Sequence, residues 1–284
     1  MGVARMLRMV VCDLDGTLLS ADGTVSLATQ RRLQALTRQG VVFVIATGRS
    51  WRTALRVQHT LGITGPIVAH NGAYAFDTAS GHDIYARRVA LESARAMALW
   101  ASQRAIMLRC YLGCGHPVLF NFFTHEHRTR FLRPEDTARA DLHHRLHIPP
   151  VEIFLFGTWE VESFLSRFGQ QGPGYELVVF PHETVREVNI CAPGVDKVEG
   201  VAAVARRLGI DRSEVLAIGD GLNDLRMMRW AEASVAVGTG TAEARQIATY
   251  VTDPDCPDPV VSALDWGQER LGPAPSAWAD AAGR

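Results

Sequence analysis

Continuous apolar runs that alternate with helix-like segments constrain the fold of this chain more than any other feature of its sequence. Such runs occur at "RMVVCD", "VVFVIATG" (41–48), "PIVAHNGA" (66–73), "EVLAIGDG" (214–221) and "ASVAVG" (233–238). Helical patterns lie between them, for example at 26–40, 50–62 and 196–210. Strands that are apolar on both faces and are joined by helices form parallel sheets covered on both sides. The sequence therefore predicts a doubly wound α/β fold.

The middle of the chain has a different pattern, in which strands follow one another more closely. Strand-like segments are "IMLRCYL", "PVLFNFF", "VEIFLFG", "YELVVF" and "TVREVNI", and helical segments are expected at 91–105, around 124–146 and at 158–169. Paired strands with interspersed helices indicate an α+β insert with an antiparallel sheet. We therefore predict a core domain formed by 1–83 and 191–271, an inserted domain at 84–190, and a disordered tail at 272–284.

Composition and charge exclude several classes of function. Hydrophobic residues make up 47% of the 284 positions and charged residues 21%, which is typical of a globular protein. The net charge of −1 gives no basic field for nucleic acid or a membrane surface, and no uncharged stretch approaches the length of a membrane span. The five cysteines are odd in number and scattered, which argues against a disulfide framework and favours reduced thiols in the cytoplasm.

Polar residues follow the apolar strands at three separate places. The three clusters are Asp13, Asp15 and Thr17; Thr47, Gly48 and Arg49; and Asp220, Asn223 and Asp224. Sites in open parallel sheets form beyond the carboxyl ends of the strands, so the sheet can bring these clusters to one edge. Lys197, on the helix that begins the last third of the chain, can reach the same edge.

These residue types together favour the chemistry of a phosphoryl group beside a divalent cation. The carboxylates would repel one another, and Mg²⁺ prefers a few carboxylates with water and a phosphate oxygen. Lys197 adds positive charge, while the Thr47 hydroxyl and the N–H groups from Gly48 onward lie at a helix N-terminus, where phosphate binds readily. A carboxylate nucleophile would form an aspartyl-phosphate, and a second carboxylate two residues on could act as acid and base.

The motifs "DLDGTLL", "ATGRS", "GVDK" and "GDGLNDLRMM" resemble, in order and spacing, the four motifs of the haloacid dehalogenase superfamily of phosphatases. The phrase "HNGA" and the insert between the second and third motifs resemble the Cof-type subfamily, which has a type IIB cap. This resemblance covers nearly the whole chain except the tail. It implies a Rossmann-like core, a mobile α/β cap and Mg²⁺-dependent hydrolysis of phosphate esters.

The resemblance also implies a role for each matching residue. Asp13 would be the nucleophile and Asp15 the acid and base, and Mg²⁺ would be held by Asp13, the backbone carbonyl of Asp15, and Asp220. The phosphate group would be bound by Thr47, Gly48, Lys197 and Asn223. Asp224 would lie in the outer shell of the metal. Two departures from the family pattern, Val198 after the motif-three lysine and Thr239 in "GTGTA", put substrate contacts or cap closure in question.

The sequence leaves some interpretations open. The predicted activity is hydrolysis of a small phosphorylated metabolite such as a sugar phosphate, a nucleotide or a cofactor phosphate. A phosphomutase with the same nucleophile is the alternative, as is a non-catalytic sensor of a phosphorylated ligand. The sequence identifies neither the substrate nor the oligomeric state. Arg49 is interpreted as a salt-bridge partner at the sheet edge, His70 as a turn residue, and Met227 and Met228 as core residues.

Overall fold

The computed structural model of the protein describes residues 6–122, 136–170, 172, 174–181 and 186–272. It contains two compact units, one formed by Met1–Tyr85 with Asp196–Arg284 and the other by Ala86–Val195. The chain thus passes between the units at 85/86 and 195/196, where the sequence predicted 83/84 and 190/191. Apart from residue 272, the tail predicted to be disordered lies outside the described residues.

The first unit alternates strands with helices, as the apolar runs predicted. Its strands are β1 Met9–Cys12, β2 Val42–Ala46, β3 Pro66–Ala69, β4 Tyr74–Asp77, β5 Asp83–Ala86, β12 Val215–Gly219, β13 Ala233–Ala236 and β14 Tyr250–Val251. Its helices are α1 Leu27–Arg38, α2 Trp51–Leu61, α6 Lys197–Leu208, α7 Leu225–Trp230, α8 Ala242–Ile247 and α9 Pro259–Leu271. Short 3₁₀ turns occur at His70–Gly72, Arg212–Glu214 and Leu222–Asp224.

These strands form one sheet in the order β14-β13-β12-β1-β2-β3-β4-β5. The strands from β14 to β3 run parallel, and β4 pairs antiparallel with β3. Successive residues of a strand face opposite sides of a sheet. Val11 packs on one side in a cluster with Val204 of α6. On the other side Gly267 of α9 lies so close to Leu216 that a Cβ atom there would be 2.4 Å from its Cδ2 atom.

The second unit is built on an antiparallel sheet with helices packed against it. Its strands are β6 Arg109–Tyr111, β7 Leu119–Phe120, β8 Thr137–Ala138, β9 Glu152–Phe156, β10 Glu176–Pro181 and β11 Arg186–Cys191, in the order β10-β11-β9-β6-β7-β8. Its helices are α3 Leu91–Gln103, α4 Leu142–Arg145 and α5 Thr158–Phe168. Buried apolar residues such as Ala98, Ile153 and Phe164 form a core that belongs to this unit alone.

The predicted fold class, a doubly wound parallel sheet with an inserted α+β domain, is confirmed. The strand β4 with its neighbour β5 was not predicted, because Tyr74–Asp77 directly follows a turn and β5 is only half buried. The helix expected around 124–146 is wrong in its described part, which holds the short strand β8 and the four-residue helix α4. Of the helices in the described part of the chain, not one combines the length and the apolar character needed to cross a membrane.

Candidate active site

The three polar clusters meet at one edge of the first unit's sheet. The central strands β12, β1 and β2 are adjacent and parallel, and Cys12 lies in register with Ile218 on one side and Ile45 on the other. The residues that follow these strands are Asp13, Asp220 and Thr47, and all three therefore lie at the carboxyl edge. Parallel alignment alone thus brings together residues that are more than 200 positions apart in the sequence.

A buried lysine joins two of the carboxylates. The Nζ atom of Lys197 lies 2.5 Å from Oδ1 of Asp13 and 2.7 Å from Oδ1 of Asp224. The exposed fraction is 0% for the side chains of Lys197 and Asp224 and 7% for that of Asp13. Lys197 is the first residue of α6, and Asp196 caps this helix by accepting a hydrogen bond from the Val198 N–H at 3.0 Å. The helix start therefore fixes where the ammonium group lies.

Burial and mutual repulsion set the protonation of these groups. Burial raises the pKa of Asp13 from 3.8 to about 7, with Lys197 opposing the shift and Asp224 adding to it. Burial acts to lower the pKa of Lys197, but the charges of Asp13 and Asp224 outweigh it and raise this pKa. The pKa of Asp220 is also raised, chiefly by burial, with a hydrogen bond from Thr17 acting against the shift. The site thus holds a single ammonium group, which does not balance the negative charge of the three surrounding carboxylates when all are ionised.

Asp220 is held in place by the two loops that flank it. Its Oδ1 atom accepts a hydrogen bond from the Thr17 hydroxyl at 2.6 Å, and its backbone carbonyl accepts from the Thr241 N–H at 2.8 Å. Gly16 has a φ of +77°, and a Cβ atom there would lie 2.4 Å from Oδ2 of Asp220. Glycine at this position therefore permits the DLDGT turn to approach the Asp220 carboxylate.

Three carboxylates form a cluster that suits a hard divalent cation. One oxygen atom from each of Asp13, Asp220 and Asp224 lies within 4.8 Å of the others. The second oxygen of Asp224 accepts hydrogen bonds from the N–H groups of Asp220 and Gly221, at 3.1 and 2.9 Å, and so shapes the turn that carries Asp220. An all-oxygen donor set of this kind is what Mg²⁺ prefers. The residues present therefore fit Mg²⁺.

Asp15 differs from Asp13 in exposure and in partner. Its carboxylate is exposed and forms a bidentate ion pair with the guanidinium of Arg49, in which Nε donates to Oδ2 at 2.8 Å and the second nitrogen donates to Oδ1. The interpretation of Arg49 as a salt-bridge partner at the sheet edge is therefore confirmed. Because this ion pair is exposed, water screens it, and it orients Asp15 more than it stabilises the fold.

The loop after β2 is folded around the Thr47 side chain. Thr47 is fully buried, and its hydroxyl oxygen accepts a hydrogen bond from the Arg49 N–H at 3.0 Å. Its N–H donates to the Val68 carbonyl at 2.9 Å and its carbonyl accepts from the Asn71 N–H at 3.1 Å. A Cβ atom on Gly48 would lie 2.7 Å from Oδ1 of Asn71, so this position requires glycine for close packing.

The turn after β3, which the sequence indicated only as polar, joins two parts of the site. His70 and Asn71 have φ angles of 54° and 55°, and left-handed non-glycine residues tend to cluster at functional sites. The buried His70 donates its N–H to the Arg49 carbonyl at 3.0 Å and accepts at Nε2 from the Trp51 N–H at 3.3 Å. Its interpretation as a turn residue agrees with these contacts. A Cβ atom on Gly72 would lie 2.1 Å from the Asp196 carbonyl oxygen, so the turn also packs beneath the start of α6.

The remaining residues that the sequence analysis named are either exposed or part of the core. Asn223 is exposed on the same 3₁₀ turn as Asp224. Val198, which stands where the family usually has glycine, is buried in the core. The glycine that permits α6 to approach β3 closely is Gly200, where a Cβ atom would be 2.6 Å from Val68. Thr239, the other departure, is exposed. Met227 and Met228 are buried core residues, as predicted.

Comparison with known proteins identifies the family of this chain. The sequence model of the haloacid dehalogenase-like hydrolases matches residues 10–264. Among curated proteins, the chloroplastic endoribonuclease YBEY of Arabidopsis thaliana is 27% identical over 90% of this chain, and the chain spans only 45% of that protein. The putative phosphatase YkrA of Bacillus subtilis is 26% identical over 90% of this chain and 96% of its own length.

Solved structures agree on the fold. A haloacid dehalogenase-like hydrolase from Bacteroides thetaiotaomicron superposes with a TM-score of 0.77 at 23% identity, over 92% of this chain and 99% of its own. The resemblance found in the four sequence motifs, including its Cof-type branch, is therefore confirmed.

Proposed function

We propose that this chain, which belongs to the haloacid dehalogenase-like hydrolase family, is a Mg²⁺-dependent phosphatase that hydrolyses a small phosphorylated metabolite. The observation that supports this most is the buried ammonium group of Lys197 between Asp13 and Asp224, with the Asp220 carboxylate beside them. A buried cation at the carboxyl edge of the sheet suits a phosphate dianion. The enzyme class, a phosphoric monoester hydrolase, agrees with the family and with the relative YkrA.

The chain's own residues would hold the cation. Asp13, Asp220 and the backbone carbonyl of Asp15 are the proposed ligands, and Asp224 would support them from the outer shell by fixing the turn of Asp220. Mg²⁺ bound there supplies positive charge that offsets the carboxylates and the phosphate oxygens.

The nucleophile in this proposal is a carboxylate oxygen of Asp13. It attacks phosphorus, an O–P bond forms to Asp13, and the bond from phosphorus to the ester oxygen breaks. The phosphate oxygens are held by Lys197, by the Thr47 hydroxyl and the Gly48 N–H, and by Asn223. Lys197 can serve the phosphate because the fold already fixes its position beside Asp13.

Asp15 has the exposure that proton transfer to and from a bound ester and water needs. As a carboxylic acid it protonates the departing ester oxygen, which leaves as an alcohol. As a carboxylate it then takes a proton from water, which attacks phosphorus and releases Asp13 together with inorganic phosphate. The ion pair with Arg49 orients this carboxylate at the mouth of the site.

The class of substrate follows from what the first unit lacks. The described residues at its site offer groups for a phosphoryl moiety, but few of the polar contacts that a sugar or nucleotide requires. We infer that the insert at 84–190 acts as a cap that supplies those contacts and excludes water, and that large phosphorylated macromolecules are poor substrates. A cytoplasmic location remains a prediction from the cysteine pattern.

Two substitutions and one control test the assignment. Asp13→Asn should abolish hydrolysis of an aryl phosphate in a well-folded protein, whereas Asp15→Asn should slow both formation and breakdown of the aspartyl-phosphate. Asp22→Asn is the matched control, because Asp22 is an exposed carboxylate of the same segment whose hydrogen-bond partners among the described residues are Ser20 and Thr24. Single-turnover analysis of the products identifies free phosphate. Full turnover in Asp13→Asn, or transfer of phosphate to a second metabolite, would contradict the proposal.

A further inference from the structure

A cavity of about 990 Å³ lies in the first unit, away from the carboxylates. It is lined by Val41–Phe43 at the start of β2, by Gly62–Pro66 at the start of β3, and by the turn between β4 and β5. The candidate active site follows the opposite ends of β1, β2 and β12. The cavity therefore opens at the amino edge of the sheet and has no residue in common with the site described above.

The floor of this cavity is apolar. Val41, Phe43 and Ile63 line it while being at least nine-tenths buried in the sheet and its loops. Gly65 has a φ of +144°, and a Cβ atom there would lie 3.1 Å from the Phe43 carbonyl oxygen, so glycine permits this loop to approach β2 closely. Such a floor can accommodate the apolar or flat body of a small molecule.

The charged side chains around the cavity differ in whether they form hydrogen bonds or ion pairs within the protein. Asp77 accepts hydrogen bonds from the Ala79 and Ser80 N–H groups, and Asp83 accepts from the Tyr74 hydroxyl. Two arginines, in contrast, have no hydrogen-bond or ion-pair partner for their side chains within the part of the chain that the structure describes. They are Arg38 and Arg207. The carboxylates serve the fold, whereas the two guanidinium groups are available to a ligand.

The helix dipole accounts for only part of this arrangement. Arg38 and Arg207 lie in the last turns of α1 and α6, where a cation is favoured by the C-terminal carbonyl groups. That effect explains an arginine at each helix end, but it does not explain why two separate helices place their terminal arginines on one cavity. Arg206 also lies in the last turn of α6 and does not line the cavity.

We propose that this cavity binds a small organic anion, with Arg38 and Arg207 at its carboxylate, sulfonate or phosphate group and the floor of Phe43 and Ile63 against its apolar body. The volume of about 990 Å³ lies at the upper end of the range of ligand sites in proteins. Guanidinium groups bind such anions through paired N–H donors. The site is additional to the proposed phosphatase centre and does not depend on it.

The anionic dye 8-anilinonaphthalene-1-sulfonate and its neutral analogue N-phenyl-1-naphthylamine are suitable probes, followed by fluorescence on the full chain. The double substitution Arg38→Gln with Arg207→Gln should weaken binding of the anionic dye by about 10-fold and leave the neutral dye unaffected. Arg31→Gln with Arg206→Gln is the matched control, because these exposed arginines belong to the same two helices, also lack partners among the described residues, and do not line the cavity. The control should bind the anionic dye like the wild type.

A second variant tests the location directly. Thr64 is exposed on the cavity wall, and the larger indole ring in Thr64→Trp should occupy part of the cavity and weaken binding of both dyes without lowering the melting temperature. Saturating Mg²⁺ should not displace the anionic dye, because the cation belongs at the carboxylate cluster on the other edge of the sheet. Absence of binding to the wild type, equal binding by both double variants, unchanged binding by Thr64→Trp, or displacement by Mg²⁺ would each overturn the proposal.

Discussion

Replacing Gly16 by alanine tests whether the position of the Asp220 carboxylate matters, and Gly23 provides a control in the same loop. The two glycines have almost the same backbone conformation, with φ of +77° and +78°. A Cβ atom at Gly23 would have no neighbour within 4 Å, whereas one at Gly16 would lie 2.4 Å from Oδ2 of Asp220. Gly16→Ala and Gly23→Ala therefore share a backbone cost of ~1–2 kcal/mol and differ only in the clash.

The clash must be relieved by movement of Asp220. An ordinary carbon–oxygen contact is ~3.4 Å, so the carboxylate has to shift by about 1 Å, against the 2.6 Å hydrogen bond from Thr17. A misplacement of about 1 Å in a catalytic site can lower the rate by ~100-fold, which corresponds to ~2.7 kcal/mol of transition-state stabilisation. We expect kcat/KM to fall by that factor in Gly16→Ala and to remain near the wild-type value in Gly23→Ala.

Three measurements separate the effects. Urea unfolding should show the backbone cost in both variants, since both place a Cβ atom on a left-handed residue, and a further loss in Gly16→Ala from the clash with Asp220. Titration with Mg²⁺ and steady-state hydrolysis of an aryl phosphate should show a defect in Gly16→Ala alone. If Gly16→Ala bound Mg²⁺ and turned over like Gly23→Ala, the reasoning that the DLDGT turn fixes Asp220 for the metal would be refuted.

Three further predictions concern charge, pH and the insert. Lys197→Met removes the cation between two buried carboxylates, so the metal-free protein should lose ~3–5 kcal/mol of unfolding free energy. The control Arg32→Met removes a half-buried arginine from an ion pair with the exposed Asp265 and should cost less than ~1 kcal/mol. Equal losses of the two variants in urea unfolding would contradict this expectation. Because the folded-state pKa of Asp13 is raised from 3.8 to about 7, this carboxyl stabilises the metal-free fold at low pH and that contribution is lost as pH rises through about 7. Mg²⁺ requires the ionised form, so its affinity in calorimetric titrations should fall below about pH 7, and an affinity independent of pH would count against the ligand role of Asp13. Replacing residues 86–195 by a short linker should lower kcat/KM much more for natural small esters than for an activated aryl phosphate. An equal fall of kcat/KM for both substrates would indicate that the insert supports the structure and does not determine specificity.

Much of the fold could be predicted because its central strands are buried on both faces. Met9–Cys12 is buried at every position, and a strand of this kind must be apolar throughout, which the sequence displays directly. Short or half-exposed strands lack this signal. The two-residue strand β8 contains too few residues to show a period, and β5 has exposed residues at both ends.

The composition of the candidate site was also predictable, but its contacts were not. Residues directly after parallel strands share an edge, so the approach of Asp13, Thr47 and Asp220 follows from topology. Burial of Lys197 depends on how α6 begins, and a lysine on a helix is ordinarily exposed. The left-handed turn at His70 and Asn71 was visible only as a polar turn, because these residue types tolerate positive φ without requiring it.

The charges of the site argue that cation and phosphate binding depend on each other. If every group were ionised, Asp13, Asp220 and Asp224 against Lys197 would leave a net charge of −2 in a mostly buried setting. The raised pKa values of Asp13 and Asp220 express the same imbalance, since protonation is the way that a metal-free site can reduce its negative charge. A phosphate dianion would add to that charge, whereas a divalent cation offsets it and leaves Lys197 free to attract phosphate. Lys197 alone can therefore organise the carboxylates, but a second positive charge is needed before the same edge of the sheet can accept a phosphate ester.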